Sequence, residues 1–145
     1  MKQLYKYWFR PATDRHLLAL AALLLGVMRL GLWLLPFQIL LRLQAAISHK
    51  TVVQSAPDRI MIERVAWAVE VVGRYVPRTT CLTQALALQI LLGRLGHPSS
   101  LCMGVTRNVA GQVEAHAWVE CEGRIVMGDW EDLSRYTLLP PLKGI

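Results

Sequence analysis

Cys81, His116 and Asp129 are the residues whose types and placement suggest a nucleophilic site. If Val113–Cys121 and Arg124–Asp129 form a hairpin around Glu122-Gly123, paired position numbers keep a constant sum, which sets His116 opposite Asp129. Opposed residues project from one sheet face with Cβ atoms about 5 Å apart, within reach of an imidazole–carboxylate hydrogen bond. Such a carboxylate fixes the imidazole tautomer and stabilises the imidazolium. Glu114 shares the face of His116, but continued register sets it opposite Glu131, and Asp132 falls opposite Val113 on the other face. Cys81 is placed where a helix should begin. There unpaired amides and the helix dipole favour the thiolate, the form that attacks. The chemistry these groups support is acyl transfer: attack by Cys81 on a carbonyl, proton delivery from His116, then release of the acyl group. The Cys81 amide is the natural first oxyanion donor; Gln84, three residues on, is expected to point away.

The elements that must position these groups are legible in the start and stop signals. Thr79-Thr80 offers a cap for a helix over Cys81 to Leu95, closed by Gly96 and Pro98, with apolar residues on more than one face, so this helix should be central. Upstream, Ser55-Ala-Pro-Asp58 reads as an S-x-x-D capping pattern for a helix to about Tyr75 that buries Ile60, Val65, Val69 and Val72 or their neighbours. Leu101–Thr106, Val113–Cys121 and Arg124–Asp129 are expected to form an antiparallel meander. Alternation in the middle strand puts Ala115, Ala117, Val119 and Cys121 toward the helices. His116, Trp118 and Glu120 take the other face, with Trp118 as a wall that limits water access.

With 145 residues, the chain suits one compact domain with an N-terminal extension. The predicted class is α+β: N-terminal helices, then a central helix starting at Cys81 and packed on a small antiparallel sheet. Residues 1–57 form a basic, hydrophobic helical segment and residues 58–145 the core. The whole net charge of +6 lies in that first segment, where seven Lys and Arg face Asp14 alone, whereas residues 58–145 balance nine bases with nine acids. The bases are spread among leucines without an aromatic-rich basic motif, which argues against nucleic acid. Leu17–Leu35 is long enough to span a membrane, but Arg29 interrupts it and Pro36 ends it, so a buried or interfacial hairpin is the better expectation. No signal-peptide pattern is present, and Cys81, Cys102 and Cys121 lack a disulfide or CxxC spacing, which points to the cytoplasm, with peripheral membrane contact through residues 17–48 open. Cys102 and Cys121 read as small core residues. A zinc set of His97, Cys102, His116 and Cys121 lacks any recognised ligand spacing, so no metal or cofactor is expected.

Five stretches carry a family resemblance: Cys81-Leu-Thr-Gln-Ala-Leu-Ala-Leu-Gln89, Leu-Leu-Gly-Arg-Leu-Gly96, Gly104-Val105, Ala115-His-Ala-Trp-Val-Glu120 and Gly128-Asp129. In this order and spacing they resemble the transglutaminase-like (papain-like) cysteine peptidases that remove leader peptides in bacterial lasso-peptide biosynthesis. The resemblance covers residues 58–140 well and the N-terminal region more loosely. It implies a triad of Cys81, His116 and Asp129, and a ribosomally made precursor cut between leader and core so that an ATP-dependent cyclase can close the macrolactam. It also implies a separate leader-recognition protein as partner, since the length leaves no room for a recognition domain. Trp118 and Glu114 are the candidate substrate-binding residues. Two other readings compete: a membrane-associated scaffold that binds peptide on a degenerate peptidase fold, and acyl transfer to an amine.

Overall fold

The computed structural model describes residues 12–36, 38, 39, 42, 43, 46, 58–76, 80–128 and 132–140. Among the described residues the helices α1 (Ala12–Leu34), α2 (Arg59–Tyr75) and α3 (Cys81–Arg94) precede a four-stranded antiparallel sheet of β1 (Ser99–Arg107), β2 (Val113–Cys121), β3 (Arg124–Met127) and β4 (Thr137–Leu138), in the order β3-β2-β1-β4. The expected α+β class is the one found, with one strand more than the meander.

Local signals explain most boundaries. Thr80 caps α3 by accepting from the Thr83 amide at 3.3 Å, and its hydroxyl lies 2.9 Å from that of Thr83. At the other end Gly96, with φ of 82°, completes a Schellman turn: its amide donates to the Gly93 carbonyl, and the His97 amide donates to that of Leu92. Helix α3 is buried at Thr83 and from Ala85 through Leu92 and packs on α1, α2, β1 and β2, the central position its apolar composition predicts. One hydrogen bond anchors it further, from Gln89 Nε2 to the Ser99 carbonyl at 3.2 Å.

Helix α2 differs from expectation at its start. Its N-cap is Asp58, whose carboxylate accepts from the Met61 amide at 3.0 Å, whereas the capping pattern made Ser55 the cap; Ser55 itself lies outside the described residues. Packing on α1 and α3 decides which face of this helix is buried. Ile62, Val65, Ala66, Ala68 and Val69 therefore face the core, Val72 is half-buried, and Ile60 is 72% exposed.

Ala21 and Leu25 of α1, Ile62, Val65 and Val69 of α2, Ala85, Leu88 and Leu92 of α3, and Ala117, Val119 and Cys121 of β2 form one apolar cluster. Burying a side chain of valine or leucine size contributes about 1.5–3 kcal/mol, so this shared cluster is what joins helices to sheet. Ala115, expected on the same face of β2, is exposed because the core ends at Ala117.

Candidate active site

Cys81 is the first residue of α3, in the turn that begins at the Thr80 cap. In an α-helix the first amides have no intrahelical acceptor, so those of Cys81 and Leu82 are available to an anion once Thr80 has taken the amide of Thr83. The other two cysteines are held as thiols. Burial pushes the Cys121 thiol up, and its Sγ donates to the Pro98 carbonyl at 3.5 Å. Burial likewise pushes up Cys102, reinforced by the charge of Glu120 and a hydrogen bond to its carboxylate. Neither suits nucleophilic attack.

His116 is buried in β2, and its Nε2 lies 2.8 Å from the Gly128 carbonyl. A carbonyl only accepts, so this bond places a proton on Nε2 and makes Nδ1 the basic nitrogen of the neutral ring. Gly128 is needed there for two reasons. Its φ is 81°, and a Cβ at this position would fall 2.9 Å from both the Ala117 carbonyl oxygen and Trp118 Cβ. The glycine thus lets the chain after β3 pass close over β2 and aim its carbonyl at the imidazole.

This geometry corrects the register arithmetic. Glu122 and Gly123, with φ of 54° and 75°, do form the two-residue turn, and Cys121 pairs with Arg124 and Glu120 with Ile125. Val119, however, pairs with Met127: Val126 is an extra residue, a β-bulge, and the sum of paired positions rises by one beyond it. The ladder then ends at Met127. The constant-sum argument that set His116 opposite Asp129 therefore does not hold, and Asp129 lies outside the described residues.

Cys81 and His116 line one cavity of about 550 Å³, together with Gln84, Gly73, Glu70, Arg74 and Gly128. Gln84 is brought in rather than turned away. It follows Cys81 by three residues, hence on the same side of α3, and its carboxamide lies over Gly73 of α2, where a Cβ would be 2.7 Å from its Cδ and Nε2. At the rim, burial pushes the Glu70 carboxyl up, with the Arg74 charge opposing. The spacing from Cys81 was a signal for Gln84; Gly73 and Glu70 reach the cavity only through the packing of α2 on α3.

Trp118 and Glu114 are placed elsewhere. Trp118 is buried, its ring centroid 6.1 Å from that of His116, its indole N–H donating to Glu120 at 3.2 Å, and it lies against Gly104. It walls the histidine from the side away from the cavity. Glu114 is exposed in β2 and pairs with Thr106 of β1. Tyr136 covers His116 at 5.7 Å, a contact with no sequence signal because it depends on the two-residue β4 pairing with β1. Among the described residues no three His, Cys, Asp or Glu are grouped to hold a metal ion.

The sequence of residues 22–140 matches the transglutaminase-like superfamily over most of the chain. The chain belongs to that superfamily. No curated protein and no solved structure matches it. The match begins inside α1, in keeping with the place of Leu25 in the common core. Transglutaminase-like proteins include cysteine peptidases and acyltransferases.

Proposed function

We propose that this protein is a cysteine peptidase that cuts the leader from a ribosomally synthesised lasso-peptide precursor. The observation that carries the cysteine chemistry is the sharing of one cavity by Cys81 at a helix start and His116 with its proton on Nε2. The substrate is argued from the resemblance of the Cys81–Gln89, Ala115–Glu120 and Gly128-Asp129 stretches to leader peptidases. Cys81 Sγ attacks the scissile carbonyl carbon, and the resulting oxyanion is met by the Cys81 amide and the Gln84 carboxamide. Imidazolium His116 protonates the leaving amine, which departs with the core peptide. Water, deprotonated by His116, then hydrolyses the thioester and leaves a carboxylate on the leader. Asp129 is the proposed carboxylate orienter, sharing with the Gly128 carbonyl the Nε2–H side of the imidazole and stabilising the imidazolium. The proposed partners are a separate leader-recognition protein that presents the precursor and a cyclase that consumes the product.

The test combines purified protein, precursor peptide and recognition protein, with products weighed by mass spectrometry. The expected result is a leader ending in a free carboxylate, with the rate reduced by about a thousandfold or more in Cys81→Ala. Undiminished cleavage by Cys81→Ala sinks the nucleophile assignment. Precursor bound but never cut favours a binding scaffold, and a leader ending in an amide formed with an added amine favours acyl transfer.

A further inference from the structure

Helix α1 has two apolar sides and the fold uses one. Ala21, Leu25 and Met28 are buried against α2 and α3. Opposite them Leu20, Leu23, Val27, Leu30, Trp33 and Leu34 are exposed, Trp33 to 78%. The residues that complete this outer face, Ala19, Ala22 and Gly26, are also exposed and carry no charge. The result is a continuous apolar strip roughly 21 Å long at 1.5 Å per residue, the kind of contiguous exposed patch that marks an interaction surface. The charge of this N-terminal stretch of sequence is nearly all of one sign. Of the eight charged residues in positions 1–57 only Asp14 is acidic, and it is turned inward to pair with Arg64 of α2. What the described part of this stretch offers a partner is an apolar helix face together with two exposed bases, Arg15 at the start of the strip and Arg42 beyond its end in sequence.

We propose that the outer face of α1 is a docking surface for an anionic lipid bilayer, on which the helix lies in the plane of the interface. Apolar side chains enter the acyl boundary, Trp33 sits at headgroup level and the bases meet anionic headgroups. The segment Asp14–Leu34, with mean hydropathy 2.2, is long and apolar enough to cross a membrane by composition. Its packing opposes that arrangement. Crossing would carry α2, with its exposed Arg59, Glu63, Glu70 and Arg74, into hydrocarbon beside it. This inference is independent of the peptidase reading.

Full-length protein is sedimented with vesicles of phosphatidylcholine alone or mixed with anionic phosphatidylglycerol. Binding is expected to be about tenfold or more stronger to the anionic vesicles and to weaken steeply from about 0.1 to about 1 M salt. The triple variant Leu23→Gln, Val27→Gln, Leu30→Gln should lose it while keeping the wild-type melting temperature and near-UV spectrum. Should that variant fail to fold, Trp33 fluorescence in the wild type provides a second reading through a blue shift on adding anionic vesicles, assigned with Trp33→Tyr. Wild type that stays in the supernatant with both vesicles overturns the proposal. So does vesicle-bound protein that resists both high salt and alkaline carbonate, the behaviour of a spanning helix. A lipid-free dimer abolished by the triple variant, or a complex with the recognition protein that the variant abolishes in the absence of vesicle binding, overturns it in favour of a protein partner.

Discussion

A backbone carbonyl orients the histidine of this site, and its position depends on one hydrogen atom. Gly128 adopts φ of 81° with β2 so near that any Cβ would press on the Ala117 carbonyl and Trp118. Gly128→Ala should therefore cost about 2–4 kcal/mol, combining a strained φ with overpacking. The measurement is urea denaturation, with nitrogen NMR of the His116 ring to follow the Nε2 proton; wild-type stability would show that the strand edge yields freely. Glu70 gives a prediction in pH. Partial burial at the cavity rim raises its carboxyl against the opposing charge of Arg74, so the folded state holds the proton more tightly than the unfolded one. Above the raised value the ionised carboxylate works against folding. Below the ordinary value of 4.5 both states are protonated and the penalty is gone. Glu70→Gln should melt higher than wild type at neutral pH, and the two curves should converge as the pH falls through the carboxylate range. A gap that is constant with pH removes the Glu70 charge as its cause.

At the scale of elements, the two helices that frame the cavity meet where α2 has a glycine and α3 a glutamine. Gly73→Ala should raise or preserve thermal stability, since alanine is favoured over glycine in a helix by about 1 kcal/mol. The added methyl nevertheless displaces the Gln84 carboxamide. If Gln84 is an oxyanion donor, cleavage should slow by about tenfold to a hundredfold. Adding Gly73→Ala to Gln84→Ala should then slow it no further. Cleavage by Gly73→Ala at the wild-type rate would show that the carboxamide has no part in the chemistry. That contact illustrates which parts of the site could be read beforehand. Cys81 at a capped helix start and His116 in an alternating strand rest on local signals, and both end in the same cavity. The hairpin turn was legible too, because Gly123 suits a positive φ at the second turn position; the positive φ of Glu122 follows from the turn rather than from its residue type. The bulge at Val126 was not, since one apolar residue among Ile125, Val126 and Met127 differs from its neighbours only in pairing. Nor was the start of α2, where Asp58 and Ser55 are both good caps, or its buried face, which packing chooses.

For the molecule as a whole, α1 is part of the core rather than an appendage. Ala21 and Leu25 belong to the cluster that also holds Val65, Ala85 and Val119. The polar contact at its start is imperfect: Asp14 is buried with Arg64, yet Asp14 Oδ2 and Arg64 Nε have no hydrogen-bond partner among the described residues. An ion pair with unmatched atoms adds little net stability, but removing one member leaves a charge largely buried without its counter-charge. Asp14→Ala should cost about 3 kcal/mol. Asp14→Leu combined with Arg64→Met should recover most or all of that loss, because apolar groups of similar size need no partners. Thermal denaturation checks both, and its shape matters as much as its midpoint. Because α1 shares its apolar cluster with the sheet, Asp14→Ala should lower a single cooperative transition. Early melting of α1 with α2, α3 and the sheet still folded, seen as hydrogen exchange confined to residues 12–34, would show instead that the contacts of Ala21 and Leu25 are too weak to couple α1 to the core.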